Sequence, residues 1–201
     1  MFFQNIYQIL AGIPAILVAI TFHEYAHGKT AALLGDPTPA SQGRLSLNPL
    51  KHLDPFGAIM LLVVGFGWAK PVQVNPYYFQ SDRRKGMLYV ALAGPLMNLI
   101  LAYLSAVAYR IYPTGIIGMF FFYLIWYNAM LAVFNLIPLP PLDGSKVLSG
   151  LLSPRYLPVY YKIESYGPII LILLLATGIL NQILQPIVRT VLSVLQLAAG
   201  W

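Results

Sequence analysis

The chain has 201 residues, of which 59% are hydrophobic and only 9% charged, with a mean hydropathy of +0.72. A soluble domain carries roughly 25% charged residues, so this composition excludes one and points to an integral membrane protein embedded in the lipid bilayer. The net charge of +6 is compatible with nucleic acid, but the basic residues are scattered through membrane-flanking segments with no RNA- or DNA-binding motif, and lipid headgroups account for them better.

Residues 5 to 28 form the first long apolar run, sufficient to cross a hydrocarbon core of about 30 Å at 1.5 Å per residue, with Pro14 placed to kink it. The run has no basic leader and continues directly into two histidines, so it reads as a retained transmembrane helix rather than a secretory signal. A polar stretch follows, Gly35-Asp36-Pro37-Thr38-Pro39 and then GRLSLNPLKHLDPFG, whose Pro, Gly and Asn content predicts loop and turn. Residues 56 to 66 are apolar again but too few to span, with Gly57, Gly65 and Gly67 among or beside them, and predict a re-entrant or interfacial segment. Further long apolar runs cover about 87 to 109, 115 to 139 and 167 to 185, and an amphipathic tail occupies 187 to 199. The expected architecture is an all-α polytopic membrane protein. It has about four transmembrane helices, a short re-entrant or β-containing segment and a C-terminal amphipathic helix. With no internal repeat, linker or second soluble domain, residues 1–201 read as one catalytic membrane core.

Threading the loops through this scheme puts Lys29, Arg44, Lys51, Lys70, Arg83, Arg84, Lys85, Lys146, Arg155 and Lys162 on one side, against Arg110 and Arg189 on the other. The positive-inside rule makes the first side cytoplasmic.

The most specific local feature is His23-Glu24-Tyr25-Ala26-His27, in which Glu24 is the first formal charge of the chain. Residues four apart share a helix face, so His23 and His27 can direct two imidazoles at one metal while Glu24 stands beside it as a base. A short pattern can arise by chance, and an interior histidine is usually a satisfied structural residue. Within a bilayer, however, each ionisable group costs roughly 2.5 to 3.5 kcal/mol on insertion scales, which favours a functional reading. The chain has no cysteine, so a zinc ion would need histidine and carboxylate donors.

Catalytic zinc usually has three protein ligands and an open position for water. Candidates for the third are His52, Asp36, Asp54, Asp82, Asp143 and Glu164. Asp143 is set apart because the run ending at Leu136-Ile137 breaks into Pro138-Leu139-Pro140-Pro141-Leu142-Asp143-Gly144. Prolines stop a helix, and non-helical backbone at membrane depth is tolerated only inside protein or along a cavity. A helix N-cap is the competing role for Asp143. His52 and Asp54 sit in a proline-rich loop where a local turn is the commoner explanation, and the remaining acids read as surface groups.

FHEYAHG near the N-terminus and FNLIPLPPLDGSKVL about 110 residues later together resemble the site-2 protease family of intramembrane zinc metalloproteases. GRLSLNPLKHLDPFG, GWAKPVQVNP and AGPLMN between them resemble its compact prokaryotic branch, so regulation through a PDZ insertion or an appended sensory domain is not expected. The resemblance implies one catalytic zinc bound by His23, His27 and Asp143, with Glu24 as catalytic base. It also implies a structural or substrate-positioning role for Asn135 and, from related proteins, a membrane-embedded β-structure over residues 56 to 68. Asn135 and Asn98 could donate to an oxyanion, with helix-to-helix hydrogen bonding as the alternative for both. The expected substrate is a single-pass membrane protein in a prokaryotic cell membrane, its unwound segment adding to an extended edge within 56 to 68 near the cytoplasmic side. A membrane metal carrier and a non-cleaving scaffold for transmembrane helices are the rival readings. Oligomeric state is left open.

Overall fold

A computed structural model describes residues 5–64 and 68–200. Helix α1 (Ile6–Leu33) starts at Asn5, whose side chain accepts the Gln8 N–H at 2.9 Å, and contains Pro14. A single turn, α2 (Thr38–Ser41), and α3 (Pro55–Val64) follow on the way to α4 (Arg83–Ile111), which is capped by Asp82 accepting the Lys85 N–H at 2.8 Å. Helix α5 (Gly115–Asn135) returns across the molecule, and α6 (Asp143–Leu151), α7 (Leu157–Glu164), α8 (Gly167–Ala176) and α9 (Ile179–Ala199) complete the chain.

Among the described residues, four helices are long and apolar enough to cross a membrane: α1, α4, α5 and α9. The segment Pro154–Glu164 and α8 form a bent pair, 57° apart, that makes a fifth span if counted as one. The number four agrees with the sequence reading, but the last span lies elsewhere. Residues 167 to 185 are not one helix, because Gly178 at φ +73° starts a new one and carries the residues of the predicted tail into α9. Only glycine adopts that backbone cheaply, and an apolar run gives no sign of such a break. The division also places Arg189, part of the expected amphipathic tail, within a helix long and apolar enough to span.

Residues 55–64 are helical, and no strand occurs among the described residues. The extended edge expected within 56 to 68 is therefore replaced by helix as far as Val64, and residues 65–67 of that expectation lie outside the described residues. The cause is local: Pro55 suits a first helical position and Asp54 accepts the Gly57 N–H at 2.8 Å. Among the described residues the β-character is one antiparallel bridge between Leu53 and Ala69.

Packing of the long helices rests on small residues. Ala15 and Ala19 of α1 are buried with Leu124 and Tyr127 of α5. Ala102 and Ala106 of α4 meet Ile125 and Ala129 of α5 and Leu195 and Ala199 of α9. Lipid supplies little hydrophobic drive between helices, so close backbone approach through alanine and glycine holds such bundles together. The outward faces carry exposed Leu10, Ile100, Leu104, Ile172 and Leu197, the side chains that hydrocarbon solvates.

Candidate metal centre

Helix α1 sets His23 and His27 one turn apart, and both are buried. Their rings meet edge to face with centroids 4.6 Å apart. Asp143 arrives as the first residue of α6, after a non-helical stretch with a cis bond between Pro140 and Pro141. The position preceding it, Leu142, is the N-cap, so Asp143 does not cap the helix. His23 Nε2 and His27 Nε2 lie 3.0 Å apart, and each lies 3.1 Å from Asp143 Oδ2.

The outer nitrogens decide the tautomers. His27 Nδ1 is 2.7 Å from the Val90 carbonyl, which can only accept, so this nitrogen carries the proton. Asn98 uses its amide nitrogen for two acceptors, the Ala19 carbonyl at 3.1 Å and Asn128 Oδ1 at 2.6 Å. Its Oδ1 must therefore face His23 Nδ1, 2.5 Å away, and His23 is protonated there too. With both rings neutral, the two Nε2 atoms then point lone pairs at each other and at a carboxylate oxygen. Three acceptors in a triangle about 3 Å on a side repel one another unless a cation lies among them. Ligands about 2.0–2.1 Å from a tetrahedral zinc stand roughly 3.3 Å apart, so this donor set and spacing fit zinc.

Glycine 94 of α4 makes the space. A Cβ there would fall 2.4 Å from His27 Nε2 and 2.6 Å from His23 Cε1, inside contact distance of both rings. Gly144 does the same for the third donor, because a Cβ on it would sit 2.3 Å from the Leu136 carbonyl and push α6 off the end of α5.

Glu24, buried next to His23, accepts the Val72 N–H on Oε2 at 2.9 Å. It lines, with His23, His27 and Asp143, a cavity of about 550 Å³ walled by residues including Ile20, Val72, Leu131, Phe134, Asn135 and Leu171. Asn135 donates one amide N–H to the Leu131 carbonyl at 3.0 Å. Asn98 is not in that cavity. It is fully buried behind His23, with both amide hydrogens engaged by Ala19 and Asn128 and its oxygen facing the His23 ring, so it presents no free N–H to the cavity.

Of the other ligand candidates, Glu164 ends α7 outside the His23, His27 and Asp143 group, and the remaining four have local duties. Asp36 accepts the N–H groups of Thr38 and Asn75, Asp54 that of Gly57, and Asp82 that of Lys85, while His52 Nε2 bonds the Ser46 carbonyl. Gly94, Asn128, the Val90 carbonyl and the Val72 N–H escaped the sequence reading. Asn128 left a legible trace as a lone amide in an apolar run, whereas main-chain partners leave none.

The model of peptidase family M50 matches residues 11–115 and 110–178 of this chain, more than half of it. The chain belongs to peptidase family M50. A relative from Bacillus subtilis, "Putative zinc metalloprotease YwhC", is 42% identical over 184 residues, covering 87% of this chain and 84% of the relative. Two proteins named "Putative zinc metalloprotease Rip2", from Mycolicibacterium smegmatis and Mycobacterium tuberculosis, are 30% and 31% identical over 83% and 82% of this chain, which in turn spans 66% of each. No solved structure matches. Family membership makes the chain a metalloprotease, and its long apolar helices make it a multi-pass membrane protein.

Proposed function

We propose that this M50 protease hydrolyses a peptide bond within or near the transmembrane segment of a single-pass membrane protein, using one zinc ion held by His23, His27 and Asp143. The observation that carries the reading is the triangle of three acceptor atoms with both imidazole protons committed elsewhere, opening on a cavity that also holds a carboxylate. Bound zinc supplies a Lewis acid that polarises a carbonyl and acidifies water.

Glu24 takes the proton from the attacking water and returns it to the leaving amine. Its carboxylate is kept in one orientation by the Val72 N–H. His23 and His27 keep their Nε2 lone pairs inward because Asn98 and the Val90 carbonyl hold the opposite protons. Asn135, with one N–H on Leu131, has a second to offer an oxyanion. Apolar walls at Ile20, Leu131, Phe134 and Leu171 suit a hydrophobic substrate segment and limit water. A helical substrate must unwind before its carbonyls can react, so the cut falls where helix-breaking residues make unwinding cheap. The ten basic residues that threading the sequence by the positive-inside rule puts on the side of the His27 end of α1 support a cytoplasmic active site in a prokaryotic cell membrane.

The test is incubation of purified protein with a model transmembrane substrate, with and without chelator, alongside Glu24→Gln. Cleavage that chelator stops and zinc restores, and that falls to a small residual rate in Glu24→Gln although zinc is retained, is the expected result. Zinc-dependent substrate binding without cleavage would favour a scaffold, and zinc flux into vesicles without cleavage would favour a carrier.

A further inference from the structure

We propose that Arg44 is a positioning residue for Glu24, acting through the backbone of residues 70–72; the proposal rests on the reading of Glu24 as base. Arg44 is buried, with 5% of its surface exposed, although it lies in the loop after α2. Burying a guanidinium is costly unless its donors are matched. Its partners here are main-chain carbonyls: Nη1 donates to Lys51, and Nη2 to Lys70 and to Pro71, the last at 3.0 Å. The planar fork thus ties two separate stretches of loop together, a geometry that the single ammonium of lysine cannot reproduce. The same two stretches are joined by the Lys70 N–H on the His52 carbonyl at 2.9 Å and by the Leu53–Ala69 bridge.

Pro71 has no N–H, so Val72 is the first main-chain donor beyond the clamp, and it is the group that bonds Glu24 Oε2. Three residues further on, the Asn75 N–H donates to buried Asp36 at 2.7 Å. The 70–75 strap is therefore anchored on both sides of Val72, by Arg44 before it and by Asp36 after it. Against α1 the fit is close: a Cβ on Gly28 would meet Leu45 at 3.0 Å and Val72 at 3.4 Å.

With Oε2 fixed on Val72, proton transfer falls to Oε1, and the rate depends on where the strap puts that atom. A displacement of about 1 Å at a reacting group can cost on the order of 100-fold. Without the clamp, the Lys70 and Pro71 carbonyls are released and the Val72 N–H loses its fixed position, while the zinc donors on α1 and α6 keep their own supports.

Arg44→Ala and Arg44→Lys, purified as full chains and loaded with zinc, test this on a model transmembrane substrate. The expected result is kcat lower by about 10- to 100-fold in both variants with KM within about twofold, and unchanged zinc stoichiometry. Faster deuterium exchange at the Val72 amide and partial recovery of Arg44→Ala by millimolar guanidinium should accompany it. In a Glu24→Gln background, Arg44→Ala should lower the residual rate little further. Unchanged kcat, unchanged Val72 exchange, loss of zinc in both variants, or an equal fall in the Glu24→Gln background would each overturn the proposal. Full turnover by Glu24→Gln alone would instead remove the base assignment, and this proposal with it, whatever Arg44 does to Val72 exchange.

Discussion

Replacing Asn98 by leucine keeps a branched side chain of similar reach while deleting the acceptor for His23 Nδ1 and the donors to Ala19 and Asn128. Two buried groups lose their partners, the His23 N–H and Asn128 Oδ1. The Ala19 carbonyl retains its own helix partner. Side-chain hydrogen bonds between membrane helices average about 0.6 kcal/mol and reach about 1.7, so the fold should weaken by roughly 1 to 3 kcal/mol. The metal should suffer more specifically, because nothing then keeps the proton on Nδ1 and the lone pair on Nε2. Loss of a partner that orients a metal-bound histidine typically costs 10- to 100-fold in affinity, equivalent to about 1.4 to 2.7 kcal/mol. Competition against a chromophoric chelator measures this directly, with thermal unfolding of the zinc-free protein as the control for general damage. Asn98→Asp separates acceptor from packing: it keeps an oxygen for His23 but loses both donors, so zinc affinity should stay near that of the unmutated protein while stability falls. The reasoning is refuted if Asn98→Leu binds zinc within twofold of the unmutated protein, or if Asn98→Asp is as weak as Asn98→Leu.

Gly94→Ala should abolish stoichiometric zinc binding, read by elemental analysis, since its methyl group would stand 2.4 Å from His27 Nε2. Gly144→Ala should lower zinc occupancy together with thermal stability, because the clash with the Leu136 carbonyl displaces the helix that begins at Asp143; Asp143→Asn should lower occupancy with little loss of stability. The Asp82 carboxyl is held below its ordinary value, chiefly by the Lys85 N–H at the start of α4. Its contribution is present above the ordinary carboxylate pKa of about 3.9 and is lost as pH falls through the lowered folded value. Asp82→Ala should therefore raise amide exchange in the first turn of α4 at pH 6 and remove the change otherwise seen on acidification.

What could be read in advance was whatever side-chain type alone discloses. Two histidines four apart in an uncharged run, and an aspartate after a proline break, are improbable in lipid without a purpose, and they stand together in the structure. Asn98 was visible as a polar residue but its direction was not, since a helix periodicity of 3.6 does not say whether an amide faces a cavity or backs a ring. The break at Gly178 was hidden because glycine in a membrane helix is common, and only its positive φ distinguishes a turn from a packing contact. The helix over residues 55–64 runs against the β-structure that the family resemblance implies there, and its Asp54 and Pro55 start signal reads equally well as a turn in a proline-rich loop.

The arrangement of the centre follows from one spacing shared by two helices. Along α1 the buried stripe runs Ala11, Ala15, Ala19, His23, His27, Ala31, and along α4 it runs Gly86, Val90, Gly94, Asn98, Ala102, Ala106. Contacts pair Ala19 and His23 with Asn98, and His27 with Val90 and Gly94, so the stripes meet in opposite order and the helices run antiparallel. Each stripe is small almost throughout, which brings the backbones close enough for a main-chain carbonyl of α4 to reach an imidazole of α1. Larger residues at the alanine positions would separate the helices and leave both Nδ1 protons unmatched in a medium with no water to take them. The alanines and glycines therefore act on the chemistry as surely as the donors do. They set the distance at which two neutral imidazoles are forced to turn their lone pairs toward the one place where a carboxylate can meet them.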